Sequence, residues 1–139
     1  MNLNKSIFEI IDEIIEEFEF FDTWEDKYSY IIEMGRKLPD LDANLKVEDA
    51  KLQGCQSTVY FHSYKNSDTT HTFKACSDAA IVQGLIALLL RIYNNRTSSE
   101  ILSLSNDFLK STGLDTHLSI TRKNGLASMI NAIKLAASK

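Results

Sequence analysis

The stretch AAIVQGLIALLLRIY, from Ala79 to Tyr93, constrains the fold of this chain more than any other. Apart from Gln83 and Arg91 it is apolar, aromatic or glycine, so a helix built from it has no polar face to turn toward water. The rest of the chain has to surround it. It is too short to span a bilayer, which takes about 20 apolar residues, and it therefore predicts a helix buried at the centre of a core. Ser77 or Asp78 is placed to cap its start. Gly84 in its interior costs roughly 1 kcal/mol against alanine, which points to close packing against the sheet or another helix.

The remaining segments supply what would cover that helix. Ile7, Ile10, Ile11, Ile14, Ile15 and Phe18 recur at helical spacing with acids between them, which predicts a first helix lying on a core. Thr23 begins a second, with Tyr28, Ile31, Ile32 and Gly35 on one stripe and Pro39 at its end. Residues 40–53 have no clear period and read as an irregular connection. From Ser57 to Tyr64 the chain alternates, with Val59 and Phe61 on one side and Thr58, Tyr60 and His62 on the other. Lys65-Asn66-Ser67-Asp68 is turn chemistry, and Thr69 to Ala75 alternates again, so the pair predicts an antiparallel hairpin. If Tyr64 faces Thr69, then Cys55 lies across from Asp78, Cys76 across from Ser57 and His62 across from His71. The two thiols would then be diagonal neighbours roughly 7–8 Å apart. Beyond the central helix, Ser98 or Ser99 can cap a short helix through Leu104, and Gly113 suits a helix end. Ser119 or Thr121 can start a last helix with Leu126, Met129, Ile130 and Ile133 inward. No repeat or linker interrupts this order, and 139 residues suit one domain, residues 1–139. The predicted class is α+β: a small antiparallel sheet with helices packed on it.

Charge narrows the function. The net charge of −4 and the lack of a basic face exclude the phosphate neutralisation that nucleic-acid binding requires. The charge is also uneven: residues 1–26 hold nine acids and one base, Lys5. That end is either a solvated helix face or a docking edge for a basic partner. The amino-terminal stretch has neither a signal peptide's continuous apolar run nor a membrane span's length, so a cytoplasmic protein with no membrane contact is expected. Two cysteines, Cys55 and Cys76, are too few for a disulfide scaffold or a four-cysteine metal site, and no metal is expected.

Cys55 stands between Gly54 and Gln56, with Ser57 next, just before the first strand. A thiol at the mouth of a sheet reads either as a presented, reactive group or as a small buried and inert packing residue, and which it is depends on the charge and exposure around the sulfur. The start of the long helix would lower its pKa and Asp78 would raise it. None of His62, His71 and His117 stands in a motif relation to Cys55 that a hydrolytic nucleophile would need; His62 and His71 read as a cross-strand polar pair, and His117 has no assigned role.

Gly54-Cys55-Gln56-Ser57 before a strand resembles the active-site motif of the SufE-type sulfur acceptors. The likeness extends along most of the chain. It includes Trp24-Glu25-Asp26-Lys27-Tyr28 leading to Leu38-Pro39, then Ser77-Asp78-Ala79-Ala80-Ile81-Val82 with Gly84-Leu85, and finally His117-Leu118-Ser119, Arg122 and Asn124-Gly125-Leu126. The resemblance implies a fold shared with IscU-type scaffold proteins. It also implies that Cys55 accepts a persulfide sulfur from a pyridoxal-phosphate-dependent cysteine desulfurase (SufS- or CsdA-like), stimulates that enzyme, and relays the sulfur to an iron–sulfur scaffold (SufBCD-like). No cofactor of the chain's own is implied. Gly54 would free the backbone to turn, Gln56 and Ser57 would offer hydrogen bonds, and the loop with Val59 would shield the sulfur. Arg122 and Asp78 would be docking or modulating residues. The chain departs from the family pattern at Cys76, which stands where relatives carry an acid. It reads either as a small packing residue or as a resolving thiol, and the alternative function is a thiol oxidoreductase or redox-regulated protein using Cys55 and Cys76. An iron–sulfur scaffold role is discounted, because such scaffolds need about three cysteines.

Overall fold

The structure is a computed structural model and describes residues 5–139; the first four residues of the acidic amino-terminal stretch lie outside the described residues. Two helices come first, α1 (Ile7–Glu19) and α2 (Trp24–Lys37). Ser6 starts α1 through a reciprocal capping box with Glu9, and Thr23 starts α2 by accepting a hydrogen bond from the Asp26 amide. α2 stops at Leu38, the residue before Pro39, as proline's restriction on its predecessor requires. An irregular connection with two short 3₁₀ turns, Ala43–Leu45 and Glu48–Ala50, leads to β1 (Val59–Lys65) and β2 (Thr70–Ser77). The central helix α3 (Ala80–Tyr93) follows. After it come a two-residue strand β3 (Arg96–Thr97), the short helices α4 (Ser98–Ser103), α5 (Phe108–Thr112) and α6 (Leu114–His117), and the last helix α7 (Ile120–Ala137).

The central helix is enclosed as its composition demands. Leu85, Ile86, Leu88, Leu89, Ile92 and Tyr93 are almost fully removed from water, and each such aliphatic side chain stabilises the fold by about 1.5–3 kcal/mol. α1 contributes Ile7, Ile10, Ile11, Ile14 and Phe18 to the same core, and α7 contributes Leu126, Met129, Ile130 and Ile133, as the spacing predicts. α2 meets α3 at two glycines: a Cβ on Gly84 would come within 2.2 Å of the Ile31 carbonyl oxygen, and one on Gly35 within 2.6 Å of the Gly84 amide nitrogen. The helix backbones touch there, which is why Gly84 is kept despite its cost to helix stability. Arg91, the one charged residue of α3, reaches the α1 carboxylates at 2.6 Å to Glu17 and 3.4 Å to Glu13. Tyr30 of α2 also donates to Glu17, and Lys5 pairs with Glu13. Part of the acidic face is therefore an internal clamp.

The sheet is antiparallel in the order β1-β2-β3. Its register differs by three residues from the expected one, since Tyr64 faces Thr72 rather than Thr69. The turn lies later in the sequence: the Asn66 amide still pairs with the Thr70 carbonyl, the Asp68 carboxylate accepts from the Thr70 amide, and Thr69 takes a left-handed φ of 70°. A three-residue loop closed by a left-handed residue replaces the four-residue loop assumed from composition. Shifting a hairpin by an odd number exchanges its faces. His62 therefore faces Lys74 and bonds the Leu45 carbonyl, while His71 faces Lys65, is buried and bonds Ser98. The expected His62–His71 pair does not form. β3 was not legible at two residues long, and α4 is capped by Thr97 rather than Ser98 or Ser99, through a capping box with Glu100.

The α2–α3 contact predicts that Gly84→Ala destabilises the protein by about 1–3 kcal/mol in urea unfolding, because backbone overlap outweighs the roughly 1 kcal/mol helix gain. A neutral or stabilising result would contradict it. The Arg91 clamp makes a second prediction. Arg91, followed by the Tyr30 hydroxyl, holds the Glu17 carboxyl below its ordinary 4.5, so the stability it contributes is complete above that pH and is lost as pH falls through the folded-state value. Arg91→Leu should therefore cost most at neutral pH and progressively less toward pH 3 in a urea series (roughly the range over which such carboxylates protonate); a penalty constant across that range would contradict the clamp.

Candidate functional site

Cys55 precedes β1 in the sequence but lies beside α7 in space. The chain reaches it through Gly54, whose φ of 86° is open to glycine and strained for other residues. A Cβ there would also meet the Ser128 hydroxyl oxygen of α7 at 2.5 Å. On the approach, the Leu52 amide bonds the Val59 carbonyl and Lys51 bridges to Tyr60, so both ends of the cysteine loop are tied to β1. The Cys55 thiol donates to the Gly125 carbonyl oxygen of α7 at 3.8 Å, and its side chain is half-buried against the core.

The sulfur faces a cavity of about 470 Å³ between α3 and α7. Its apolar wall is Ile81, Val82 and Leu85 from α3 with Leu126 and Met129 from α7, and its mouth carries Gln56, Ser57, Ser119, Thr121 and Arg122. Gln56 and Ser57 thus border the cavity, and Arg122 comes into it from the first turn of α7, whose Ser119 cap accepts from the Arg122 amide. Asp78 is exposed just before α3 and is not part of the lining. Cys55 is outside the hairpin ladder, so its predicted position across from Asp78 is not formed. Nor does Val59 shield the sulfur, as expected from its place in sequence; it points into the core, and the shielding residues come from two helices much later in the chain. Their spacing, Ile81-Val82-Leu85 and Leu126-Met129, was legible only as core.

Electrostatically the site keeps its thiol protonated. Burial pushes the Cys55 pKa up, and no cation opposes it. The first turn of α3 nevertheless opens on the cavity: Ala79 and Ala80 line it, and no side chain caps that turn. Neither Ser77 nor Asp78 takes the expected N-cap position, which falls on Ala79; the Ser77 hydroxyl accepts from the Ala79 amide while the Ser77 amide donates to the Gln83 side chain.

Cys76 is on the other side of the sheet. It faces Tyr60, alternating with Ala75, which enters the core. It is 6% exposed beneath the 40–46 segment, where Asp40, the Leu41 amide and Lys46 are its neighbours. The diagonal approach to Cys55 is therefore not formed, and disulfide closure would require the sheet to be crossed. His117 stacks flat on Trp24 at 4.0 Å and bonds the Gly113 carbonyl, a packing role. Among the described residues no group of three or more histidine, cysteine or acidic side chains is arranged to hold a metal, and no helix is long and apolar enough to cross a membrane.

A small antiparallel sheet covered by helices, with one cysteine held at a helix-lined cavity, is the frame within which relatives can be compared. The family described as "SufE: Fe-S metabolism associated domain" matches residues 12–137. The chain is 41% identical over 131 residues to an uncharacterized SufE-like protein of Rhizobium meliloti strain 1021, covering 91% of this chain and 94% of that one. It is 38% identical over 128 residues to an uncharacterized SufE-like protein of Rhizobium etli, covering 89% and 86%. Its fold matches the solution structure of a hypothetical protein from Thermus thermophilus, with a TM-score of 0.76 at 16% identity over 93% of each chain. The chain belongs to the SufE family, and membership ties it to iron–sulfur metabolism.

The site predicts slow, ordered alkylation. With iodoacetamide, Cys55 should react before Cys76, with a pH midpoint above that of the urea-unfolded chain, both read by mass spectrometry of peptides. A Cys55 midpoint below the unfolded value would contradict a desolvated thiol.

Proposed function

We propose that this protein is a sulfur acceptor that takes the sulfane sulfur of a cysteine desulfurase's persulfide onto Cys55, stimulates that enzyme by clearing it, and relays the sulfur to an iron–sulfur scaffold. The observation that carries the reading is the placement of the Cys55 sulfur at an apolar cavity large enough for an added sulfur atom.

The chemistry is a thiol–persulfide exchange. The Cys55 thiolate attacks the outer sulfur of the donor's persulfide; a new S–S bond forms at Cys55, the donor's S–S bond breaks, and the donor cysteine leaves as a thiolate that recovers the proton Cys55 gave up. No oxidant is consumed. Inside the cavity the thiol is protonated and a poor nucleophile, so the reaction belongs to a state in which the loop carries Cys55 outward into the donor's site. Gly54 is the residue in that loop with the backbone freedom to let it turn. On return, the persulfide's terminal sulfur is more acidic than a thiol and enters as an anion. The uncapped first turn of α3, the hydroxyls of Ser57 and Thr121, and Arg122 line the cavity it would occupy. Apolar walls then keep solvent thiols away. Arg122 and the exposed Ile120 two residues before it form a rim suited to donor docking, with Asp78, exposed just before α3, a modulating charge.

The alternative of a thiol oxidoreductase working through Cys55 and Cys76 loses support from the opposite placement of the two thiols. Cys76 serves as a packing residue under the 40–46 segment.

Incubating the protein with a cysteine desulfurase and free cysteine should add the mass of one sulfur to the Cys55 peptide and none to the Cys76 peptide. Cys55→Ser should abolish both the added mass and the stimulation while leaving the protein folded, with an unfolding free energy lowered by no more than about 1 kcal/mol. Unmodified Cys55 in the presence of an active donor would overturn the proposal.

A further inference from the structure

A second surface, sharing no residue with the Cys55 cavity, lies at the carboxyl-terminal end of α1. Glu13, Glu16, Glu17 and Phe20 follow one another on a single helical stripe, and with Phe21 and Tyr30 they line an open groove of about 440 Å³. Phe20 projects into water with 80% of its surface exposed, the largest such exposure among the big apolar side chains described. It rests edge-on against Phe21 at 5.3 Å, and Phe21 leans on Tyr30 at 5.1 Å. An aromatic ladder therefore ends in a ring whose outer face is uncovered.

The electrostatics of the groove are incomplete in a particular way. Glu13 and Glu17 are both answered by Arg91 of α3, and Glu13 also by Lys5. No ion pair among the described residues reaches Glu16, Glu19 or Asp22, and the last turn of α1 carries no base. Carboxylates at a helix's carboxyl end sit beside its own negative dipole end, an arrangement unfavourable by about 0.3–1 kcal/mol each. A cation brought to this point would meet three favourable partners: free carboxylates, the helix end and an exposed aromatic face. A purely solvated acidic face would need no bare phenylalanine.

We propose that the groove at the end of α1 is a docking site for a basic segment of a partner protein, an arginine or lysine side chain lying over Phe20 with its charge toward Glu16 and Glu19 and an adjacent apolar residue against Phe21 and Tyr30. This contact is independent of the sulfur chemistry at Cys55. It would place a partner at the opposite sequence end from the α3–α7 site and add a salt-dependent interaction to any made there.

The test uses the intact protein labelled with ¹⁵N and a capped peptide of sequence LRALRA, with LEALEA as control. Amide shifts on titration should concentrate at residues 16–22 and Tyr30. Phe20→Ala, which removes an exposed ring and leaves the core untouched, should weaken binding about two- to five-fold at constant charge. Combining it with Glu16→Gln and Glu19→Gln should weaken it on the order of tenfold. The control peptide should not bind. Three results would overturn the proposal: no saturable shifts, shifts spread over all acidic surfaces and indifferent to Phe20→Ala, or concentration-dependent self-association lost in Phe20→Ala, which would give the groove to a second copy of the chain.

Discussion

The structure depends on the burial of α3. A helix with no polar face can exist only if other elements cover every side of it, and each does so from a different direction: α2 through the Gly35–Gly84 backbone contact, β2 through Phe73 and Ala75, α1 through its isoleucine stripe, and α7 through Leu126, Met129 and Ile130. The coverage ends at the helix's first turn, where Ala80, Ile81 and Val82 remain partly open. That opening is the Cys55 cavity. The interaction that builds the core therefore also builds the site, as the uncovered end of the same apolar helix.

The thiol's surroundings set how it can be used. A cysteine beside a cation or histidine is held ready to attack, whereas Cys55 is held ready to be sheltered: its pKa is raised by burial and its proton is directed at the Gly125 carbonyl. A desolvated thiol is a weak nucleophile where it sits, which agrees with the carrier role proposed for Cys55, in which the loop moves the sulfur outward to react. The loop geometry fits the same division, with both flanks tied to β1 and a left-handed glycine directly before the cysteine.

Elements written in short-range chemistry were legible in the sequence. The caps at Thr23 and Ser119, the stop before Pro39, the inward faces of α1 and α7 and the close approach at Gly84 all follow from residues within a turn or two of one another. The register of the hairpin was not, because Asn66 and Thr69 move the turn by side-chain bonding and a left-handed residue that composition does not reveal. That error carried the two thiols onto one face and paired His62 with His71. Around the cavity, Cys55 could be singled out as one of only two thiols, while Gln56, Ser57 and Arg122 stood out only through their likeness to the family's motifs. The apolar walls from α3 and α7 could not, since a residue lining a cavity and a residue filling a core obey the same periodicity.

The central claim is that the α3–α7 cavity shelters the sulfur carried on Cys55. It is tested most directly by loading Cys55 with the extra sulfur and following its removal by dithiothreitol, by peptide mass, in the folded protein and in urea. The account predicts removal at least on the order of tenfold slower in the folded protein, the size of a modest burial effect of about 1.4 kcal/mol, with the difference reduced when Met129→Ala opens the wall. Equal rates in the folded and unfolded chains would contradict it.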